Sequence, residues 1–304
     1  MRGQNAPPGG VARVGFIGLG HMGLPMASRL AANDFPLTVW NRTPGRADPL
    51  TAAGAALAAS TQELAACCDL IITMLSDAAA VRAVLCGTDG ALSAATPGTL
   101  AMDMSTIGPA AAREIAAEAA SRDVTFLDAP VSGSVALAGQ GRLTVMVGGP
   151  RNAFERVRQV LTVLGKTQIY LGPQGAGAAM KLAVNILIAA TNQAIAEALA
   201  LAERSDIALA AAYDTLASSA AASPFIEYKR EAFLHPGMSP VSFTTALMSK
   251  DLSLALDATH GAPLPLTSTA KDILDATCAA GYADADFASV ARLLRSEPIR
   301  PKLP

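Results

Sequence analysis

A lysine and two asparagines recur at helical spacing in one of the most apolar stretches of the sequence. Lys181, Asn185 and Asn192 are four and seven residues apart, which places them on one face of a helix. Most other residues of the 180–188 stretch are apolar, as in a buried helix. Partial burial lowers a lysine pKa from about 10.4 toward neutrality, which suits general acid–base chemistry. The asparagine at 185 could orient a hydroxyl or the ammonium, although a solvated lysine is the alternative interpretation.

A second group of residues, near the start of the chain, has the spacing of a phosphate-binding turn. Gly18, Gly20 and Gly23 follow the apolar run Val14–Ile17 and precede the helical stretch Leu24–Ala32. The first glycine permits a tight turn, the second lets the backbone approach a pyrophosphate, and the third allows close helix packing. Free N–H groups at the helix start favour the phosphates. The turn predicted to bind a dinucleotide is Gly18-Leu19-Gly20-His21-Met22-Gly23.

The end of the next β-rich run distinguishes between two dinucleotides. An acidic residue there would accept the ribose 2′-hydroxyl of NAD, but this chain has Asn41-Arg42-Thr43. The neutral amide removes repulsion of a 2′-phosphate, and the guanidinium of Arg42 can pair with it, with Arg46 nearby. The sequence therefore predicts NADP as the preferred cofactor. NAD is the alternative cofactor, and a merely solvated Arg42 is the alternative interpretation.

These residues lie in a chain whose first part alternates β-rich runs with helical stretches. Several runs are apolar throughout, as in strands that are covered on both faces. Ser60 with Glu63 forms a capping box, and Pro109 stands where a helix can begin. The alternation predicts a Rossmann-type, doubly wound parallel α/β domain. The predicted strands are Val14–Gly18, Leu37–Asn41, Leu70–Leu75, Thr99–Met104, Val124–Asp128, Leu143–Val147 and Gln168–Leu171.

After Gly172 the strand signals cease, and the remainder is predicted to be all-helical. Gly261 and Gly281 stand where helices end, and Pro263 and Pro265 enforce the break after the first of them. The predicted helices are Ala176–Arg204, Ala208–Ser218, Thr244–Thr259, Thr267–Ala280 and Asp284–Arg295. The predicted organisation is a flexible N-terminus (1–12), a dinucleotide-binding domain (13–172), a helical substrate and oligomerisation domain (173–297) and a tail (298–304).

The composition narrows the class of protein. A chain of 304 residues is long enough for two domains, and 51% apolar with 16% charged residues excludes general disorder. The net charge of −2 argues against a nucleic-acid partner, and the four cysteines lack metal-ligand spacing, so no metal is expected. The N-terminus lacks the apolar core of a signal peptide, and the 183–190 run is too short and polar to span a bilayer. We therefore expect a cytoplasmic protein without a membrane partner.

From Arg13 to about Leu294 the chain resembles the β-hydroxyacid dehydrogenases, the family typified by 3-hydroxyisobutyrate dehydrogenase. Four signatures carry the resemblance, in this order along the chain: Gly15–Gly23, Asp128–Ser134, Gly172–Asn185 and Lys250–Leu252. The resemblance implies hydride transfer with a nicotinamide cofactor on a small carboxylate-bearing substrate. It also implies that Lys181 is the catalytic acid–base, that Asn185 is its partner, and that both contact the substrate.

Further site residues are implied by the resemblance. Ser132, Gly133 and Ser134 would bind the substrate carboxylate, a role that backbone N–H groups and hydroxyls at a strand end suit. An ordinary Ser/Gly loop is the alternative interpretation of these three residues. The residues implied to line the nicotinamide pocket or to lie near cofactor and substrate are Met74, Leu75, Ser76, Ser105, Thr106 and Lys250.

Comparison with related enzymes narrows the range of reactions that the resemblance implies. Ser134 stands where hydroxyisobutyrate dehydrogenases commonly have glycine, and with Asn41-Arg42-Thr43 it looks more like the NADPH-dependent glyoxylate and succinic semialdehyde reductases. Val184 replaces the histidine of 6-phosphogluconate dehydrogenases, and Lys181 argues against imine reductases. A non-catalytic dinucleotide-binding scaffold remains the alternative of another class. Because family members commonly form dimers or tetramers, a homodimer or homotetramer is expected.

Overall fold

The computed structural model describes residues 11–295. The predicted tail (298–304) and residues 1–10 of the predicted N-terminal segment lie outside the described residues. The described chain divides into two compact units, one up to Lys181 and one from Leu182 onward. The predicted domain boundary at residue 172 stays a prediction.

The first unit is organised by a sheet of nine strands within the described residues. Their bounds are β1 (Val14–Ile17), β2 (Leu37–Trp40), β3 (Ala56–Leu57), β4 (Leu70–Thr73), β5 (Leu100–Asp103), β6 (Thr125–Asp128), β7 (Val131–Ser132), β8 (Leu143–Gly148) and β9 (Gly165–Gly172). The spatial order is β3-β2-β1-β4-β5-β6-β8-β7, with β9 beside β8. The chain winds outward from β1 in both directions, which confirms the doubly wound α/β fold.

Both antiparallel pairings of the sheet within the described residues involve β8. The strands from β3 to β6 are parallel to their neighbours, whereas β8 is antiparallel to both β6 and β7. The strand β9 is again parallel to β8. The short strands β3 and β7 and the antiparallel position of β8 were not predicted from the sequence.

Helices cover both faces of the sheet. Alternate strand residues enter two separate apolar cores, so Phe16 and Ile72 lie in one core while Ile17 and Ile71 lie in the other. This double coverage explains why the strands are apolar throughout. The helices are α1 (Gly23–Ala31), α2 (Asp48–Ala52), α3 (Thr61–Ala66), α4 (Ala78–Cys86), α5 (Pro109–Ala120), α6 (Val135–Gly139), α7 (Arg151–Leu164) and α8 (Ala176–Arg204), which continues into the second unit, with a 3₁₀ turn at Ala91–Ser93.

Two predicted helix starts are confirmed. The Oγ of Ser60 accepts the N–H of Glu63 at 3.0 Å, and the Glu63 carboxylate accepts the N–H of Ala59 at 2.7 Å. The predicted capping box therefore stabilises the first turn of α3. Pro109 occupies the first turn of α5, where its missing N–H costs no helical hydrogen bond.

The second unit is helical throughout its described part, apart from one isolated bridge between Thr244 and Asp286. After α8, its elements are α9 (Leu209–Ser218), α10 (Pro224–Leu234), α11 (Thr245–Ala258), α12 (Pro265–Thr277) and α13 (Val290–Arg295), with a π turn at Cys278–Tyr282 and a 3₁₀ turn at Phe287–Ser289. The predicted helices are present with changed bounds. The helix α12 begins at Pro265 rather than Thr267 because proline is favourable in a first turn. The predicted helix Asp284–Arg295 was too long, since α13 begins only at Val290, after a 3₁₀ turn that the Asp286 side chain caps. The helix α10 was not predicted.

A buried ion pair lies inside the second unit. The Nζ of Lys229, on α10, donates to the two carboxylate oxygens of Asp286 at 2.6 and 2.7 Å and to the Oγ of Ser242 at 2.8 Å. It also lies 4.1 Å from the centre of the Phe287 ring. Lys229 is only 1% exposed, so this ammonium is part of the unit's core.

The helix α8 is long and apolar enough, by length and composition alone, to cross a membrane. It has 29 residues, and 44% of its most apolar window is buried in the protein. The sequence expectation considered only the shorter 183–190 run, so it does not extend to the whole helix. Three polar side chains, those of Asn185, Asn192 and Gln193, are buried along it.

Candidate functional site

The carboxyl ends of four adjacent strands align at one edge of the sheet. Ile17, Thr73, Asp103 and Asp128 are the last residues of β1, β4, β5 and β6, and they are paired in register. At about 4.8 Å between strands, this edge extends about 14 Å from β1 to β6. The segments that follow these strands include most of the residues predicted to bind cofactor and substrate. In doubly wound folds, ligands bind at this edge where the strand order reverses, here between β1 and β4.

Packing within the protein requires two glycines of the glycine-rich turn, whereas the third glycine is explained by the approach of a bound group. Gly18 has a φ of +100°, and a Cβ there would collide with the carbonyl oxygen of Met74. A Cβ on Gly23 would collide with the carbonyl oxygen of Gly18. Gly20, in contrast, is exposed, and no heavy atom lies within 4 Å of the position its Cβ would take. The protein itself does not require glycine at position 20, whereas close approach of a phosphate does.

The start of α1 also fits a bound anion. Its N-cap residue, Met22, provides no side-chain acceptor for the first-turn amides, and the first turn contains no acidic residue. Within the turn, Leu19 is buried and His21 is exposed. Amides without a side-chain cap, together with the positive end of the helix dipole, are the donor set that a pyrophosphate needs. These residues therefore fit a dinucleotide.

Asn41 connects the end of β2 to the glycine-rich turn. Its Oδ1 accepts the backbone N–H of Leu19 at 2.8 Å, and its Nδ2 donates to the carbonyl of Thr43 at 2.9 Å. The amide thus shapes the turn as well as leaving this position uncharged. Arg42 and Arg46 are exposed beside it.

A buried carboxylate links the segments that follow β4 and β5. Asp103 Oδ1 accepts the hydroxyls of Thr73 and Ser105, both at 2.6 Å, and the Ser105 Oγ accepts the N–H of Leu75 at 2.8 Å. Burial raises the pKa of Asp103 to about 6, although these hydroxyls oppose the rise. The Ser105 hydroxyl is therefore used within the protein, and the network holds Leu75, Ser76 and Thr106 at the sheet edge.

A second buried carboxylate, on Asp128 at the end of β6, holds the start of α8. Asp128 Oδ1 accepts the N–H of Gly175 at 2.7 Å, and its Oδ2 accepts the N–H of Ala178 at 2.8 Å. Burial raises the pKa of this carboxyl, and the backbone amides of Gly175 and Ala178 act against the rise. Within the first unit, this contact brings the beginning of the lysine-bearing helix to the same sheet edge as the glycine-rich turn.

The three residues predicted to hold a substrate carboxylate, Ser132, Gly133 and Ser134, come shortly after Asp128 in the chain. Ser132 lies in β7, opposite Thr144, and Gly133 has a φ of +146° that disfavours other residues. The Ser134 Oγ accepts the N–H of Leu137 at 3.3 Å and so caps α6. A hydroxyl that accepts this bond still has its own O–H to donate.

Lys181 and Asn185 lie on α8, and Lys181 is half-buried. Asn185 is 2% exposed, and its Nδ2 donates to Asp251 Oδ2 at 2.6 Å within the second unit. This bond leaves Asn185 Oδ1, an acceptor, as the other functional end of the side chain. Asn192, the third polar residue of the sequence pattern, donates to the carbonyl of Phe287 at 3.1 Å, which is a packing role.

Lys250 stands beside Asp251 on α11. Its Nζ is 2.8 Å from Asp251 Oδ1, and its side chain is 27% exposed. The neighbouring carboxylate therefore compensates part of its positive charge. Its predicted contact with the cofactor stays a prediction. Among residues 11–295, no group of three or more His, Cys, Asp or Glu side chains could hold a metal ion.

Sequence reasoning missed the roles of three aspartates. Asp128 and Asp251 lie within the second and fourth family signatures, but the sequence does not indicate their roles, and the same is true of Asp103 at the end of β5. All three are about 1% exposed. The available signal was an acidic residue at the end of an otherwise apolar strand, as in β5 and β6, since a charge rarely enters a core without a structural purpose.

The fold and this sheet edge define a nicotinamide dinucleotide-binding oxidoreductase with a Rossmann first unit. Residues 13–172 match the family model for the NAD-binding domain of 6-phosphogluconate dehydrogenase, and residues 175–294 match the model for the NAD-binding region of NADP-dependent 3-hydroxyisobutyrate dehydrogenase. The chain belongs to the β-hydroxyacid dehydrogenase family, and it is an NAD(P)-dependent enzyme of that family.

Individual relatives are similar over nearly the whole chain. The 2-(hydroxymethyl)glutarate dehydrogenase of Eubacterium barkeri is 35% identical over 92% of this chain and 94% of its own length. The chloroplastic glyoxylate/succinic semialdehyde reductase 2 of Arabidopsis thaliana is 31% identical over 96% of this chain and 82% of its own. The crystal structure of 3-hydroxyisobutyrate dehydrogenase from Salmonella typhimurium has a TM-score of 0.86 at 34% identity, covering 92% of this chain and 99% of that one. These relatives share a reaction type while their named substrates differ.

Proposed function

We propose that the chain interconverts a small β-hydroxy acid and its semialdehyde or keto form, with NADP as the preferred cofactor and Lys181 as general acid–base. One observation carries the proposal. In the first unit, the start of the helix that bears Lys181 is bonded to the end of β6, at the same sheet edge as the dinucleotide-fitting turn. A proton donor and a nicotinamide site at one edge are the two components that carbonyl reduction needs.

The turn from Gly18 to Gly23 would hold the pyrophosphate, and Arg42 would pair with the 2′-phosphate of NADP. Leu75, Ser76 and Thr106 would line the nicotinamide pocket. When bound, the dinucleotide supplies or takes up the hydride. The match of residues 175–294 to a model described for an NADP-dependent enzyme supports this cofactor.

The protein's own residues would transfer the proton of the reaction and stabilise the charges of the alkoxide and the substrate carboxylate. In reduction, Lys181 gives its proton to the developing alkoxide and stabilises that charge; in oxidation it takes the proton back. Because Nδ2 of Asn185 is bonded to Asp251, its Oδ1 would accept from the substrate hydroxyl or from the lysine ammonium. Ser132, Gly133 and Ser134 would bind the substrate carboxylate.

The test is turnover with a substrate panel. Purified protein is mixed with NADPH or NADH and with short carboxylate-bearing carbonyl compounds, and loss of the reduced nicotinamide is followed. Lys181→Ala should abolish turnover and leave the NADPH Kd within a few-fold. Lys166→Ala, an exposed lysine of β9, is the matched control and should behave as wild type. Retained turnover in Lys181→Ala removes this lysine from the mechanism, and NADPH binding without turnover of any substrate favours a scaffold.

Cofactor preference has its own test. Arg42→Ala should weaken NADPH binding about tenfold or more, because it removes one charge-assisted contact to a phosphate, and should leave NADH binding unchanged. Binding of each cofactor can be followed by nicotinamide fluorescence. Equal weakening of both cofactors would contradict the NADP assignment.

A second candidate is NADPH-dependent reduction of glyoxylate or succinic semialdehyde. Ser134 favours it, since its O–H remains available to a carboxylate while its oxygen caps α6. The relative from Arabidopsis thaliana, which is named for these two substrates, supports the same choice of substrate. Ser134→Gly should then raise KM for these unbranched substrates relative to a branched semialdehyde. An unchanged ratio of kcat/KM values would remove Ser134 from substrate selection.

We also propose that the protein is a cytoplasmic homodimer or homotetramer in which α8 is a core helix. Leu187 and Leu201 on α8 are each 69% exposed in the single chain, a surface that a second copy would cover. The buried, hydrogen-bonded Asn185 and Asn192 support a helix packed in protein rather than lipid. Light scattering of the purified protein measures the oligomer directly, and a monomer would contradict this proposal.

A further inference from the structure

The side chain of Asp128 is bonded at both oxygens to the first turn of α8. Its Oδ1 accepts the N–H of Gly175 and its Oδ2 accepts the N–H of Ala178, at 2.7 and 2.8 Å. The residue is 1% exposed. A carboxylate at a helix start satisfies amides that have no partner within the helix and also suits the helix dipole. The Asp128 side chain therefore contributes directly to fixing where α8 begins and in which direction it runs.

The main chain of Asp128 is anchored in the sheet. Asp128 is paired in register with Asp103, and the next amide, that of Ala129, donates to the Asp103 carbonyl at 2.7 Å. One residue further, the Pro130 carbonyl accepts the N–H of Met146 at 3.0 Å. The chain then enters β7, which contains Ser132. Asp128 thus leads, through a backbone that is hydrogen-bonded within the sheet, into the segment proposed to hold the substrate carboxylate.

Two glycines leave the space that the carboxylate occupies. A Cβ on Gly148 would lie 2.8 Å from each oxygen of Asp128, and a Cβ on Gly177 would lie 3.0 Å from Oδ2. Neither glycine has a positive φ. Crowding by the carboxylate and nearby backbone, rather than backbone conformation, excludes larger residues at both positions.

We propose that Asp128 is a positioning residue that sets the spacing between the substrate carboxylate and the proton-transferring Lys181. Its backbone leads into Ser132–Ser134, and its side chain fixes α8, on which Lys181 is about 4.5 Å beyond Ala178 along the axis. The spacing between anion site and amine determines which carbon of a substrate lies beside the amine. Asp128 therefore selects substrates by the distance between carboxylate and carbonyl. This inference rests on the proposed function of Lys181 and of residues 132–134.

Asp128→Asn tests the inference because an amide has one acceptor where two N–H groups need two. In the variant, kcat with the best substrate should fall between about tenfold and a hundredfold while the NADPH Kd stays within about twofold. Discrimination between glyoxylate and succinic semialdehyde, taken as the ratio of kcat/KM values, should narrow toward unity. Hydrogen exchange should become faster at the amides of Gly175 and Ala178.

The split between kcat and NADPH affinity separates positioning from a general loss of structure. A general loss of structure in Asp128→Asn would weaken NADPH binding together with kcat, whereas a positioning role lowers kcat and leaves the NADPH Kd in place. A matching fall in NADPH affinity overturns the inference, and so does unchanged exchange at Gly175 and Ala178. If Lys181→Ala itself retains turnover, the proposed function fails, while the exchange measurement still reports whether Asp128 holds α8.

Asp103→Asn is the matched control, since Asp103 is equally buried at the neighbouring register position. It should leave amide exchange at Gly175 and Ala178 unchanged and should alter NADPH affinity instead. If Asp128→Asn does not give folded protein, Asp128→Glu carries the test, because the extra methylene shifts the carboxylate relative to the two amides without removing its charge. The same narrowing of substrate discrimination is expected, and intact discrimination in folded Asp128→Glu protein overturns the inference.

Discussion

In the first unit, the buried carboxylates of Asp103 and Asp128 accept hydrogen bonds from hydroxyls and backbone amides, whereas in the second unit Asp286 is bonded to an ammonium, that of Lys229. Burial raises the pKa of both Asp103 and Asp128. Burial acts on Asp286 in the same sense, but the Lys229 ammonium, together with the Ala288 amide and the Ser242 hydroxyl, outweighs it and holds the pKa of Asp286 below its ordinary value.

The difference shows two uses of a buried charge. Neutral donors compensate burial only in part, so the first-unit carboxylates stay sensitive to pH and to the segments that donate to them. Those segments are the ones proposed to hold cofactor, substrate and the catalytic helix. The ion pair of the second unit is compensated by a full charge and joins α10 to the chain before α13, which is a scaffolding role.

The largest effect is expected from breaking the second-unit pair. Lys229→Met leaves the Asp286 carboxylate buried without its ammonium and should lower the free energy of unfolding by about 3–5 kcal/mol at neutral pH. Urea denaturation measures this loss. Arg230→Met, next along α10 with an exposed pair to Asp214, is the control and should change stability little. A loss no greater than that of the control would show that the pair is not a stabilising element.

The next effect is a pH dependence that belongs to the first unit. The pKa of Asp103 is raised from 3.8 to about 6, so its contribution to stability is complete below about pH 4 and is lost as the pH rises through about 6. Wild type should therefore lose about 3 kcal/mol relative to Asp103→Asn between about pH 4 and pH 7. Denaturation of both proteins across this range measures the difference, and parallel stability curves would contradict it.

A smaller effect tests whether the first-unit network serves the cofactor. Ser105→Ala removes a donor to Asp103 and the acceptor for the Leu75 amide, which should cost about 1–3 kcal/mol of stability. NADPH binding should weaken as well, unlike in folded Lys229→Met protein. Ser121→Ala, an exposed hydroxyl at the end of α5, should change neither quantity. Unchanged NADPH affinity in Ser105→Ala would mean that this network contributes to stability but not to cofactor binding.

The smallest effect is expected from an exposed pair. Arg13 donates to Asp69 at 2.7 Å, with the two side chains 56% and 31% exposed. Arg13→Met should cost no more than about 1 kcal/mol, and added salt should reduce even that difference. If Arg13→Met lowered the free energy of unfolding as much as Lys229→Met does, the pairing of charges rather than their burial would determine the stability contribution of both ion pairs.

Much of the fold could be predicted because its strands are apolar on both faces and its helices have local start signals. The strands from β1 to β6 follow apolar runs, apart from the two-residue β3, and Ser60 and Pro109 mark helix starts through contacts within a few residues. The helix α10 escaped prediction for a physical reason. Lys229 is one of its core residues, and its burial depends above all on the carboxylate of Asp286, 57 residues later. A hydrophobic pattern counts such a lysine as exposed.

The candidate site shows the same limit. The glycine-rich turn and the lysine of α8 could be proposed because their spacing is local. The roles of Asp103 and Asp128 could not, since a strand-ending aspartate acquires its role from partners 30 to 50 residues away. The strand β7 has two residues, and its pairing with β8 depends on tertiary contacts that no local pattern records.

The double hydrogen bond of Asn41 restricts how this enzyme could change cofactor during evolution or by engineering. An aspartate at 41 would keep an acceptor for the Leu19 amide and could receive the 2′-hydroxyl of NAD, but it would lose the donor to the Thr43 carbonyl. A glutamate would place its carboxylate one methylene further from the backbone and away from the Leu19 amide. Under the proposed preference for NADP, position 41 would couple cofactor choice to the shape of the loop, and a change toward NAD would need aspartate at 41 together with a compensating change near Thr43.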